Sequence, residues 1–302
     1  MKKILLSILA AGLGLATAAQ ENTGAGLELR VVTSNVRLMT GKDGENSWDF
    51  RKERLANALK SLNADVIGTQ EAFDAQKKYL HSKLKGYNVV GVGREDGKKK
   101  GEHSAIFYNR KRFKALDCGN FWLSETPDVP SLGWDAACIR IASWAFLQEK
   151  STGKKFFFVN THLDHVGVTA RREGVKLLCT KAKEIGGDCP MVITGDFNIY
   201  KESEDFKAIS GMGLIHVYDI AEEKALQPAS WHGYDNDMEK HVEKAKSEQK
   251  KQYGIDAEVP QIIDYILINR GQCKYYEIMP PKAADGGFLS DHSPVYADII
   301  LK

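Results

Sequence analysis

The residues able to do chemistry in this chain stand at the ends of apolar runs. Asn35 closes the run in Thr-Ser-Asn-Val-Arg, Glu71 the one in Gly-Thr-Gln-Glu, and His162 the one in Val-Asn-Thr-His-Leu-Asp-His. Asp196 and Asn198 close Ile-Thr-Gly-Asp-Phe-Asn, Asp264 lies in Ile-Ile-Asp-Tyr-Ile-Leu, and Asp291-His292 precede the last apolar run in Ser-Asp-His-Ser-Pro-Val. Singly, each has a plain explanation, since Asn and Asp after strands commonly make turns. Jointly, six fragments in order supply carboxylates, amides and imidazoles, the ligand types of a hard divalent cation and of phosphate. Such a set can hydrolyse a phosphoester with an activated water. The reaction needs charge neutralised on the non-bridging oxygens, a water placed in line, and help for the departing oxygen.

The elements that must position these residues are legible as short runs rich in Val, Ile and Phe. They predict strands over 29–35, 65–70, 104–108, 143–149, 156–161, 191–194, 262–268 and 294–301. Leu55, Ala58, Leu59 and Leu62 recur at helical spacing within 51–62, as do Val175, Leu178 and Ala182 within 170–185. Strands adjoining strands, with helices segregated, point to an α/β (α+β) chain of two mixed sheets packed face to face. The stretch 235–251, with interleaved Lys and Glu, reads as a solvated helix or loop inserted beside the site, not as a binding element.

The fragments resemble the motifs of the endonuclease/exonuclease/phosphatase superfamily, also called deoxyribonuclease I-like. Asn35, Gln70-Glu71, Asn160-Thr161-His162, Gly195-Asp196-Phe197-Asn198, Asp264-Tyr265 and Ser290-Asp291-His292 carry the resemblance. Gly-Asp-x-Asn and Ser-Asp-His are specific when both occur in this order. The resemblance implies a four-layer α/β sandwich, two packed mixed β-sheets flanked by helices, with the site at one edge. It also implies dependence on Mg²⁺ or Mn²⁺.

Roles follow residue by residue. Because a hard cation keeps several waters, one or two carboxylates suffice to hold it. Glu71 is the primary candidate ligand, with Asn35 and Asp291 as further ligands, directly or through water. Asp196 can orient or deprotonate the attacking water, and Asn198 can donate to a phosphate oxygen or lend its carbonyl to the metal. The two imidazoles each need an acid to fix the tautomer. The resemblance names Asp264 for His292 and Glu102 for His162. His292 is then a general base or phosphate clamp, and His162 a donor to a phosphate oxygen or the leaving group. Arg140 offers a planar fork to the phosphate, a surface ion pair being the competing reading. Arg37 resembles the arginine of the deoxyribonuclease branch, where the abasic-site branch carries an acid. Of Trp122, Trp134, Trp144 and Trp231, the segment Trp231-His232-Gly233 is the one expected to meet substrate.

Composition bounds the rest. Met1-Lys2-Lys3, an apolar stretch and Ala16-Thr17-Ala18-Ala19 read as a signal peptide over 1–19, followed by one domain over 20–302. This implies export to the periplasm or beyond. Removing 1–19 takes away Lys2 and Lys3 and no acid, so 42 basic against 40 acidic residues becomes a formal balance. That argues against a broad grip on nucleic-acid backbone. Lys98-Lys99-Lys100 reads as a solvated loop. Five cysteines without CxxC spacing argue against zinc. An oxidising compartment permits a disulfide, and Cys179 and Cys189 flank a helix end, but no pairing is assigned. No Gly-x-Ser-x-Gly elbow supports a serine hydrolase. A catalytically silent binding module would be expected to have lost a ligand, and every position is filled. The expected partner is a phosphoester, nucleic acid among the candidates, acted on by a monomer with no stable membrane insertion. A nuclease or other phosphodiesterase ranks slightly ahead of a phosphomonoesterase on sugar or inositol phosphates; a sphingomyelinase-like activity is a further alternative.

Overall fold

In a computed structural model of the chain, residues 26–254, 256 and 258–302 are described. The leader expected over 1–19 lies outside them. The first half runs β1 (Leu27–Asn35), α1 (Trp48–Ser61), β2 (Val66–Ala72), α2 (Asp74–Lys83), β3 (Tyr87–Val90), β4 (His103–Asn109), β5 (Phe113–Trp122), β6 (Ile141–Glu149) and β7 (Lys155–His162). The second runs α3 (Val168–Gly186), β8 (Met191–Asp196), α4 (Glu204–Gly211), β9 (Ile215–His216), α5 (Val217–Ile220), β10 (Ala221–Ala225), α6 (Met238–Tyr253), β11 (Asp264–Ile268), β12 (Gly271–Ile278) and β13 (Val295–Leu301).

One sheet has the order β10-β12-β13-β1-β2-β4-β3 and the other β5-β6-β7-β8-β11-β9. Leu29, Val31, Val66, Ile106, Val295 and Ala297 of the first share one core with Phe157, Val159, Ile193 and Ile266 of the second. The alternate strand residues Val32, Ile67 and Phe107 pack outward against Leu55 and Leu59 of α1 and Leu80 of α2. On the second sheet, Val175, Leu178 and Ala182 of α3 join the shared core. The layers are therefore helix, sheet, sheet, helix, as expected. Central strands are apolar on both faces because both are covered. Strands β3, β5, β9, β10 and β12 escape the sequence reading. Much of β5 and β12 is solvent-facing, so they lack the continuous apolar run that marks a buried strand.

Chain direction decides where the chemistry goes. β1 runs parallel to β2, and β7 parallel to β8, whereas β13 is antiparallel to β1 and β11 to β8. The carboxyl ends of β1, β2, β7 and β8 thus meet the amino ends of β11 and β13 along one edge. In register, Asp196 lies beside His162 on one side and Asp264 on the other.

A polar belt beneath that edge ties the sheets together. Asn160 donates from Nδ2 to the carbonyls of Thr69 and Ala105, and its Oδ1 accepts from Gln70 Nε2 and Thr194 Oγ1. Arg51 of α1, fully buried, donates to the carbonyls of Asn46, Val36, Arg37 and Leu289. It thereby fastens the loop after β1 to the loop before β13. The five cysteines are all free thiols, and among the described residues no helix is long and apolar enough to cross a membrane.

His216, paired in β9 with Leu267 of β11, is buried among the rings of Phe206, Tyr218, Tyr265 and Tyr276. Neither ring nitrogen finds a hydrogen bond among the described residues. Burial, aided by Lys201 and Lys224, pushes the imidazole down to about 3. The unfolded chain therefore binds a proton below about 6.5 that the folded chain refuses, so stability is full above that pH and declines as pH falls toward 3. In His216→Phe, the slope of unfolding free energy against pH between 4 and 6 is expected to flatten by about 1.4 kcal/mol per pH unit. Urea titrations at several pH values measure it. An unchanged slope would mean that His216 is protonated in the fold.

Candidate active site

The six sequence fragments converge, and Asp196 stands at the centre. Its Oδ2 accepts from Asn35 Nδ2 at 2.9 Å across the two sheets and lies 3.5 Å from His162 Nε2 and 3.6 Å from His292 Nε2. Its Oδ1 accepts from the backbone N–H of Asn198 at 3.0 Å. Asn198 takes a left-handed backbone (φ 49°), which swings its amide back to donate to His162 Nε2 at 3.1 Å and to the carbonyl of Leu163.

Glu71 is aimed by an irregularity. The pairing of β2 with β4 slips between Thr69 and Ala72, and Glu71 has a φ of 62°. Left-handed backbone at a non-glycine residue is strained and persists where its surroundings enforce it. The turn delivers the carboxylate to Asn35 Nδ2 at 3.0 Å and to the backbone N–H of Leu38 at 2.9 Å.

His292 is held as expected, with Nδ1 donating to Asp264 Oδ2 at 2.9 Å. Asp264 is oriented in turn: Ser230 Oγ accepts from the backbone N–H groups of Ile263 and Asp264. Burial disfavours charge on this imidazole, but Asp264 and Asp196 outweigh it and push His292 up to about 10. It is therefore a cationic donor at neutral pH. Burial, reinforced by Asp264, pushes Asp196 up to about 7, and burial likewise raises Asp291 despite His292. His162 is the opposite case: burial, then Arg140 and Arg94, hold it well below its usual range, so it is neutral.

Two expectations, on Glu102 and on the segment 235–251, need correction. Glu102 does not orient His162; it pairs with Arg94 at 2.7 Å, and His162 Nδ1 has no hydrogen-bond partner among the described residues. A guanidinium eight residues away outcompetes the imidazole for this carboxylate. Asn35 presents its Nδ2 to Glu71 and Asp196, while its Oδ1 accepts from Arg37 N, so its amide bridges the two carboxylates. The atoms that gather within 4.8 Å of one another belong to Glu71, Asp196 and His292. Asp291 stands to the side, 3.6 Å from Arg37 and accepting from Ser290 Oγ. Finally, α6 is not merely solvated. Its buried positions Val242, Ala245 and Gln249 follow helical spacing, and Ala245 and Gln249 wall the cavity over the site.

That cavity, about 450 Å³, is also bounded by His162, His292, Arg140 and Trp231. Arg140 is nearly buried, with Nε 3.3 Å from Asp164 and Nη2 2.9 Å from His165 Nδ1. Its ion pair is buried and not on the surface, and the residue borders the cavity. Arg37 pairs with Asp43 and approaches Asp291. Of the four tryptophans considered, only Trp231 lines this cavity; Trp122 is buried with its indole N–H on the carbonyl of Arg94. Arg51 and Ser230 carried no expectation, because each acts chiefly on groups remote in sequence.

The residues present fit a hard divalent cation. Oxygen donors dominate, they converge, and Asp196 and Asp291 are raised by burial with too few positive neighbours to offset it. A second cluster, Cys138, Asp164 and His165, does not fit. Asp164 already accepts from the N–H groups of Ala137, Cys138, Val166 and Gly167 and from Arg140.

This arrangement of sandwich and edge site defines a class. The model of the Endonuclease/Exonuclease/phosphatase family matches residues 32–292, and the chain belongs to that family, whose members are divalent-metal-dependent phosphoester hydrolases. Among solved structures, an endonuclease/exonuclease/phosphatase from Bacteroides vulgatus is 36% identical with a TM-score of 0.81, covering 91% of this chain and 100% of that one. A mannosyl-6-phosphatase of Bacteroides thetaiotaomicron VPI-5482 is 34% identical with a TM-score of 0.79, over 90% of this chain and 99% of that one. Sphingomyelinase C 2 of Leptospira interrogans is 23% identical over 89% of this chain and 46% of its own length. The chain spans about half the length of the curated relatives it matches.

Proposed function

We propose that the protein is a Mg²⁺-dependent phosphomonoesterase acting on a small phosphorylated alcohol, a sugar phosphate in the first instance. The observation that carries the reading is Asp196, held between Asn35, His162 and His292 beside Glu71 at the floor of a cavity walled by α6. A wall at that position favours a compact substrate over a polynucleotide, and the likeness to a mannosyl-6-phosphatase supports the same order. The monoester therefore moves ahead of the diester favoured on sequence alone.

Glu71 and Asp196, with His292 and Asp291 adjacent, would hold the cation, which when bound neutralises charge on the phosphate oxygens. Asp196, its Oδ2 set between His162 and His292, is placed to orient the attacking water and take its proton. His292, kept cationic by Asp264, donates from Nε2 to a phosphate oxygen, and Arg140 adds a second positive group from the cavity wall. Asn198 holds His162 by Nε2. The leader reading adds export to the periplasm or medium, where scavenging phosphate from small esters is a coherent task.

The test is a metal-resolved assay. Chelated protein should show no turnover of sugar phosphates or aryl phosphate; Mg²⁺ or Mn²⁺ should restore it, at least tenfold above bis-aryl phosphate and single-stranded DNA. Activity that survives EDTA, or that prefers diesters, would overturn the reading.

A further inference from the structure

Gln249 lies on the inner face of α6, is only 3% exposed, and borders the cavity. Neither its Oε1 nor its Nε2 finds a hydrogen bond among the described residues. Leaving a buried amide unpaired costs about 1–3 kcal/mol, so such groups are rare unless something else meets them. An amide offers two donors and an acceptor, the complement of a pair of hydroxyls, each of which both gives and accepts.

Trp231 borders the same cavity and remains 37% exposed, a large aromatic surface left open beside the reacting groups. Its position is fixed. Trp231 and His292 form an isolated antiparallel bridge, the backbone N–H of His232 donates to the carbonyl of Asp291, and the ring packs edge-on against His241 of α6 at 5.1 Å. An indole face accepts the C–H face of a ring while leaving its hydroxyls free at the edge. At about 450 Å³ the cavity is at the small end of ligand sites, which run from roughly 300 to 1,000 Å³.

We propose that Trp231 and the inner face of α6, through Gln249, form the subsite for the alcohol half of the substrate, a polyhydroxylated ring stacked on the indole with neighbouring hydroxyls paired to the amide. This rests on the phosphomonoesterase reading and adds what sets its specificity. Gln249 and Trp231 are specificity residues; they select the ester without touching the reacting phosphorus.

The shared chemistry, a ring bearing neighbouring hydroxyls, occurs in hexose phosphates and in the ribose of nucleotides, and the substrates separate them. Steady-state kinetics with Mg²⁺ would compare a hexose 6-phosphate, its monodeoxy analogues, a nucleoside 5′-monophosphate and phenyl phosphate, on wild type, Gln249→Leu, Gln249→Glu and Trp231→Phe. In Gln249→Leu, kcat/KM for the hexose phosphate should fall at least tenfold further than that for phenyl phosphate, mainly through KM. At least one monodeoxy ester should lose about tenfold on wild type and little more on Gln249→Leu, since the same pair cannot be lost twice. Equal losses on all esters would make Gln249 merely structural and overturn the proposal, as would a tenfold preference for the nucleotide over every hexose ester. Binding supplies a second readout: hexose 6-phosphate should quench tryptophan emission in wild type and not in Trp231→Phe. Quenching without turnover would sink the phosphatase reading and keep the subsite. Turnover of phenyl phosphate with neither quenching nor discrimination would keep the phosphatase and sink the subsite.

Discussion

Replacing Asp196 by Asn is expected to lower kcat on any phosphoester roughly 1,000-fold while the protein stays folded. Three consequences of one atom exchange add up. The amide cannot accept a proton from water, it is a poorer donor to a cation, and it cannot accept at both positions now used by Asn35 Nδ2 and the N–H of Asn198. Stability should not suffer in proportion. Asp196 is buried beside Asp264, whose charge it opposes, and neutralising it relieves that repulsion while giving up attraction to His292. Groups of this kind are retained for chemistry at some expense to the fold. The measurements are kcat with saturating Mg²⁺ and a thermal melt by circular dichroism. A variant within tenfold of wild-type kcat would remove Asp196 from the mechanism. A variant melting more than about 10 °C lower would show that the carboxylate serves the fold first.

The second large effect concerns the fold under the site. Gly68 sits in β2 against the polar belt of the facing sheet, and a Cβ there would stand 2.3 Å from Thr194 Oγ1 and 2.5 Å from Asn160 Oδ1. Neither neighbour can yield cheaply. Thr194 is β-branched and fully buried, and Asn160 is pinned by four hydrogen bonds. Gly68→Ala must therefore part the sheets or break bonds in the belt. Overpacking of this sort costs about 1–3 kcal/mol, and a buried amide left unpaired a similar amount again. A total of about 4 kcal/mol lowers the melting temperature by about 10 °C in a chain of this size. Pairing it with Asn160→Ala should make the double variant less unstable than the sum of the singles, because the obstructing group is gone. If Gly68→Ala melts within 2 °C of wild type, the close approach does not exist.

Both expectations rest on residues remote in sequence, and that distance separates what could be read from what could not. The strands behind the site were legible because β1, β2, β7 and β8 are covered on both faces, and full burial writes an unbroken apolar run into the sequence. The residues ending those runs stand out by contrast, which is why Asn35, Glu71, His162, Asp196, Asp264 and His292 are legible in the sequence. The strands β5 and β12 carry weaker marks because many of their side chains are not buried. The inner face of helix α6 is obscured in the sequence for a related reason. Its Lys and Glu occupy three of its sides, and the narrow stripe of Val242, Ala245 and Gln249 is diluted among them.

By itself, then, the sequence determined the residue types at the edge, the strands that bear them and the class of reaction they can support. Burial and strand polarity are properties of short segments, and short segments record them. Only the tertiary structure decided which group faces which. It turned Glu71 inward through a left-handed bulge, gave Glu102 to Arg94 instead of His162, and set the Asn35 amide between two carboxylates, one of them 161 residues away. Such choices are competitions among partners brought together by folding, settled by a few ångströms and by charge in a medium that screens it weakly.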